Sequence, residues 1–147
     1  MNRLLQSILH SWKTYRNERY GFEFRYPAAW KEELGHNNPL NDSVIVNFQD
    51  IEFQGDVEIV HASVSVEVKE RSLDFANQWR QMRDASGQDT VRVAGRKALK
   101  VADSGGIVYS VLSGSTEYDI VMQAVNEKNS EGYQSIFTKI LSTFNFI

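Results

Sequence analysis

The chain has no cysteine among its 147 residues. That excludes disulfides, cysteine-based zinc sites and thiol catalysis. It does not choose a compartment, since a reducing cytosol and an exported bacterial domain both suit it. Only two prolines occur, Pro27 and Pro39. No apolar run reaches the roughly 18 residues of a membrane-spanning helix. Neither sign of charge dominates: 16 Lys and Arg stand against 19 Asp and Glu, a net charge of -3. The charges are spread along the chain, whereas a nucleic-acid surface needs clustered Lys and Arg to meet phosphates, so no nucleic-acid partner is expected. The opening MNRLLQSILHSW is too short and too interrupted for a signal-peptide core. The reading is cytoplasmic if Met1 is the natural start, and exported (periplasmic or lipoprotein) if a signal was removed.

Catalytic signatures are missing too. There is no GxSxG elbow, no GxGxxG or GxxxxGK[ST] phosphate cradle and no calcium-loop pattern. Ser104-Gly105-Gly106 and Gly114-Ser115 read as hairpin turns. Glu32 and Glu33 are adjacent and would point apart on a strand. The histidines are His10, His36 and His61, with no HxH or HxxxH spacing. The reading is therefore not an enzyme and no cofactor; were there a base, it would be His36 or His61. The oxygen-rich loop Leu34 to Asp42 allows a hard-cation site built on His36 and Asp42, with Asp50 or Asp56 as further ligands.

What is present is a core. Hydrophobic residues make up 41% of the chain and aromatics 12%, enough for one domain. Leu4, Leu5, Ile8, Leu9 and Trp12 recur at helical spacing, which predicts an amphipathic helix over residues 1–11 ahead of a single domain over 12–147. Arg3 and Lys13 flank that helix. Phe22, Phe24 and Tyr26 share one face of a strand that Pro27 ends, because proline has no amide hydrogen for a ladder. Ala28-Ala29-Trp30 turns the indole back over it. Val44 to Phe48 reads as a strand and Asp50 to Asp56 as an acidic connection. Val60, Ala62, Val64, Val66 and Val68 alternate with His61, Ser63, Ser65, Glu67 and Lys69, the clearest strand in the chain. Its serine face is small enough for a helix to lie close.

Ser72 caps a helix whose apolar stripe is Phe75, Trp79 and Met82 and which stops near Ser86-Gly87. Thr90 to Val125 reads as a meander with turns at Ala94-Gly95, Ser104 to Gly106 and Gly114-Ser115. Ser130 caps a second helix with Tyr133, Ile136, Phe137, Ile140 and Leu141 on one face, and Phe144-Asn145-Phe146 closes against the sheet. One antiparallel sheet with helices on its faces is the economical assembly.

The order of these pieces resembles the PsbP-like domain family. The residues that carry the resemblance are Tyr15, Asn17, Tyr20 to Phe22, Phe24, Tyr26, Pro27 and Trp30, then Val91, Val93, Gly95 and Ala98, and finally Ile140, Leu141, Thr143, Phe144 and Phe146. It covers nearly the whole chain from Trp12 onward. The resemblance implies an α+β fold, an α-β-α sandwich with a central antiparallel sheet flanked by helices. The family includes extrinsic subunits of photosystem II, a nuclear import factor that binds the GTPase Ran, bacterial lipoproteins and chaperones of secreted effectors. These mostly work by binding proteins. All the matching residues are core and turn residues, so no functional residue carries over.

The functional expectation is a non-enzymatic protein-binding accessory domain with a protein partner. The alternative is a small-ligand or divalent-metal-binding domain of the bacterial cell envelope. Candidate partner-binding residues are Leu5, Ile8, Leu9 and Trp12 on the N-terminal helix, and Arg80 and Arg83 on the central one. Weak self-association through the N-terminal helix is a further expectation.

Overall fold

The computed structural model describes residues 11–33, 37–38, 43–88, 91–102, 106–125 and 130–147. The elements run β1 (Trp12–Asn17), β2 (Phe22–Pro27), β3 (Lys31–Glu33), β4 (Asn37–Asn38), β5 (Ser43–Gln54), β6 (Val57–Glu70), α1 (Leu73–Ala85), β7 (Arg92–Val93), β8 (Arg96–Lys97), β9 (Leu99–Ala102), β10 (Gly106–Ser113), β11 (Thr116–Ala124), α2 (Ser130–Thr143) and β12 (Asn145–Phe146). All strand pairings among them are antiparallel. The fold is α+β with antiparallel sheets, as the alternation and helix signals predict.

The valine alternation of β6 puts Ala62, Val64, Val66 and Val68 on one fully buried face. Their partners across β11 are Ala124, Met122, Ile120 and Tyr118, all buried as well. β6 is therefore central in a large sheet of order β3-β5-β6-β11-β10-β9, with β4 also paired to β5. Tyr133, Ile136, Phe137 and Ile140, spaced three, one and three apart, form the buried stripe of α2.

The strands divide into three sheets rather than one. β1, β2 and β12 make a separate three-stranded sheet, and β7 and β8 a two-stranded one. The separate sheet supplies the ring wall: Phe24 meets Phe48 edge-on at 5.6 Å and Phe22 meets Tyr118 at 5.8 Å, so its rings close directly onto β5 and β11 of the large sheet. Phe144 stacks on both Phe22 and Phe24. The tail does close there: Phe146 pairs with Phe22, and Ile147 donates to the Gly21 carbonyl at 2.9 Å. Gly21 has φ +70, and a Cβ there would sit 3.2 Å from the Ile147 carbonyl oxygen, so the turn needs glycine.

Four further expectations need correction. Trp12 opens β1, paired with Pro27, and is not on a helix, because Ser11 already hydrogen-bonds to Ala28 and commits the backbone to pairing. Residues 50–54 are not an acidic connection but the end of a 12-residue strand, since their amides pair across to β6 after a bulge at Asp50/Ile51. On α1, Met82 is 59% exposed and Ala76 takes its place beside Trp79 in the buried stripe. The helix over the second face of the large sheet packs on Leu99 and Leu112, with Trp79 Nε1 donating to Ser110, and not on Ser63 and Ser65. The indole and Leu112 form the larger apolar contact, which outweighs the smallness of the serines.

Candidate functional site

The second face of the large sheet carries charge. Glu67 and Lys69 alternate with the buried valines of β6, and Glu117 and Asp119 alternate with Tyr118 and Ile120 of β11. The register places Lys69 opposite Glu117, and Glu67 opposite Asp119. Lys69 Nζ lies 3.3 Å from Asp119, 3.6 Å from Glu67 and 4.0 Å from Glu117. Arg71 Nε donates to Glu117 at 3.1 Å, and its guanidinium lies 4.1 Å from the Phe75 ring centroid. Arg71 also fixes the chain between β6 and α1, its amide donating to the Ser115 carbonyl at 2.8 Å.

Glu117 is 5% exposed. Burial, and then the neighbouring Asp119, push its carboxyl up to about 7 despite the opposing pull of Arg71. The fold therefore disfavours the charged form of Glu117 and holds its proton to higher pH than a free carboxyl would. Among the described residues, no group of three or more histidines and carboxylates is arranged to hold a metal ion.

A second feature is the β5–β6 hairpin. β11 pairs with β6 only from Ala62 onward, and β3 pairs with β5 no further than Gln49. Residues 51–54 and 57–60 therefore have only each other as strand partners among the described residues, and form a two-stranded arm. Phe53 is 55% and Val57 62% exposed, on opposite faces of the arm. Ile51, Ile59 and Val60 are half-exposed, and Glu52, Asp56 and Glu58 make the arm acidic. Lys31 Nζ sits 4.9 Å from the Phe53 ring. At the base, His61 Nε2 is 2.7 Å from Glu52, and buried Asp50 accepts from the Tyr133 hydroxyl at 2.6 Å.

Of the sequence-predicted residues, the structure describes Trp12, Arg80 and Arg83, and Asp50 and Asp56. Leu5, Ile8 and Leu9 lie outside the described residues, as do His36 and Asp42. Asp50 is engaged with Tyr133, while Asp56 is at the exposed tip of the arm. Trp12 is half-buried, with Lys139 Nζ 4.4 Å from its ring. Arg80 and Arg83 flank the buried stripe of α1, on the other side of the large sheet. Arg80 Nη2 donates to the Gly114 carbonyl at 2.6 Å, and Arg83 lies over Trp79 and 3.0 Å from Asp84. The two arginines are used within the domain.

Sequence reasoning missed the arm and the charged strip. The signal for the arm was present: Ile51 and Val60 stand at mirror positions about Gly55-Asp56, and Phe53 and Val57 add apolar residues between them, but the acids there read as loop. The strip was visible only as the polar half of two alternating strands.

Against known structures, the chain matches the solution structure of cyanobacterial PsbP (CyanoP) from Synechocystis sp. PCC 6803, with a TM-score of 0.59, 20% identity and 93% of each chain covered. The chain has a PsbP-like fold. No protein-family model matches it, and no curated protein matches it in sequence. The PsbP-like fold places the ring wall and α2 on one side of the large sheet and α1 on the other.

Proposed function

We propose that this PsbP-like domain is a non-enzymatic accessory module that works by holding another protein, with the β5–β6 arm as its contact. The observation that carries this reading is the exposure of Phe53 and Val57 on an arm whose two strands have no other strand partner among the described residues. Isolated two-stranded hairpins are marginal in water, and exposed large apolar side chains at such a place mark a contact surface. The carboxylates of Glu52, Asp56 and Glu58 select a partner whose apolar notch is rimmed by Lys or Arg, since opposite potentials speed encounter and exclude wrong partners. The resemblance to PsbP-like proteins, which mostly act by binding proteins, supports the same reading. The stripe of Leu5, Ile8 and Leu9 is a second candidate contact within it.

The test is affinity capture from source-cell lysate with wild type and the Phe53→Asp, Val57→Asp double variant. Circular dichroism and melting confirm that both are folded. A specific protein held by wild type and released by the variant is the expected result. Equal retention by both overturns the arm as the contact. Empty capture by both overturns the protein-binding reading.

A further inference from the structure

A groove of about 270 Å3 opens between β1 and α2. Trp12 forms one wall; Ser135, Ile136 and Lys139 form the other, from one face of the helix. Ile136 belongs to the core, so the floor is apolar. The size is near the lower end for pockets that take a small organic molecule.

The polar groups of its described lining can all donate. Lys139 has the Trp12 ring as its partner, and no carboxylate is paired with it among the described residues. The Trp12 indole N–H is buried and meets no acceptor. The Ser135 hydroxyl can donate as well. A buried donor without an acceptor is costly, and an oxygen brought in beside it would relieve that cost.

We propose that this groove binds a small monocarboxylate with an apolar body. The hydrocarbon lies on Trp12 and Ile136, and the carboxylate pairs with Lys139. One cation on apolar walls suits a singly charged head on a greasy body; a phosphate calls for a basic cluster or a cradle of backbone N–H groups. Residues 1–10 are close in sequence and carry Leu4, Leu5, Ile8 and Leu9. They contain no Asp or Glu, however, and so offer Lys139 no counter-charge. The proposal goes beyond the protein-binding reading and does not depend on it.

The experiment follows the Trp12 indole N–H signal by 1H–15N NMR on the full chain, assigned with Trp12→Phe. Octanoate is titrated, with octan-1-ol, octylamine and acetate in parallel. A saturable shift with octanoate is expected, with octanol binding about fivefold weaker, as an exposed ion pair implies. Acetate and octylamine should leave the signal in place. Lys139→Gln, a surface change that leaves the core intact, should lower octanoate binding to the level of octanol. No octanoate shift overturns the proposal. So does equal binding of octanol, equal binding of octylamine, or an unchanged Lys139→Gln titration. Octanoate binding that appears only after residues 1–10 are removed also overturns it, and assigns the groove to the chain's own N-terminal segment.

Discussion

The two faces of the large sheet solve burial in opposite ways. One face, Ala62 to Val68 with Tyr118 to Ala124, is sealed by the rings of β2 and the stripe of α2, and its stability comes from apolar area and close packing. The other face buries Glu117 beside Asp119, Lys69 and Arg71, under the edge of α1. There Lys69 and Arg71 have carboxylate partners within 4.0 Å, yet burial still disfavours the charged form of Glu117. The dry face should therefore respond to volume and not to pH, and the charged face to pH and little to volume.

The largest expected effect tests the dry face. Phe24→Ala removes a ring that packs on Phe48 and Phe144, and should cost about 3–5 kcal/mol of unfolding free energy, read by urea denaturation. A loss under about 1 kcal/mol would mean the ring wall is not packed as described.

The charged face should reveal itself through pH. Glu117 ordinarily titrates at 4.5 and is raised to about 7 in the fold. The folded state thus favours the protonated form. Its stabilising contribution is full below 4.5 and is lost as pH rises through 7. Stability measured from pH 5 to pH 8 should fall by on the order of 2 kcal/mol from this group. In Glu117→Gln that part of the slope should vanish, with Asp119, Glu67, Lys69 and Arg71 still in place. An unchanged slope would show that Glu117 is ionised throughout.

Tyr133→Phe sits between the two regimes, on α2 but bonded to buried Asp50. It keeps the ring and removes the donor, and should cost about 1–3 kcal/mol. At the small end, Arg16→Ala breaks pairs with Glu18 and Glu23 that lie at the surface, and should move the urea midpoint by less than about 0.5 kcal/mol equivalent.

Much of the fold was legible in local pattern. The period of two in residues 60–68, the Ser72 cap, whose hydroxyl accepts from the Phe75 amide at 3.1 Å, and the stripe from Tyr133 to Ile140 are short-range signals. Ala94 and Gly95, both at positive φ, make the turn that the dipeptide suggested. Residues 50–54 were not legible, because Asp and Glu are poor strand formers and only pairing with β6 keeps them extended. Trp12 was not legible either: its spacing fits the helix expected over residues 1–11 and the strand after it equally well. The candidate sites were the least legible part. The groove joins Trp12 to Lys139, and the charged strip joins Lys69 to Glu117.

The sequence alone determined an α+β chain with an aromatic core and charges of both signs spread along it. It did so because periodicity and capping act over a few residues, where side-chain identity and backbone geometry are directly coupled. The tertiary structure decided that the rings form a separate sheet, that the β5–β6 arm leaves Phe53 and Val57 exposed, and that Glu117 is buried among charges. Those outcomes depend on which strands become neighbours. Register across β6 and β11 then converts an ordinary alternating pattern into a dry face on one side and a charged cluster around buried Glu117 on the other.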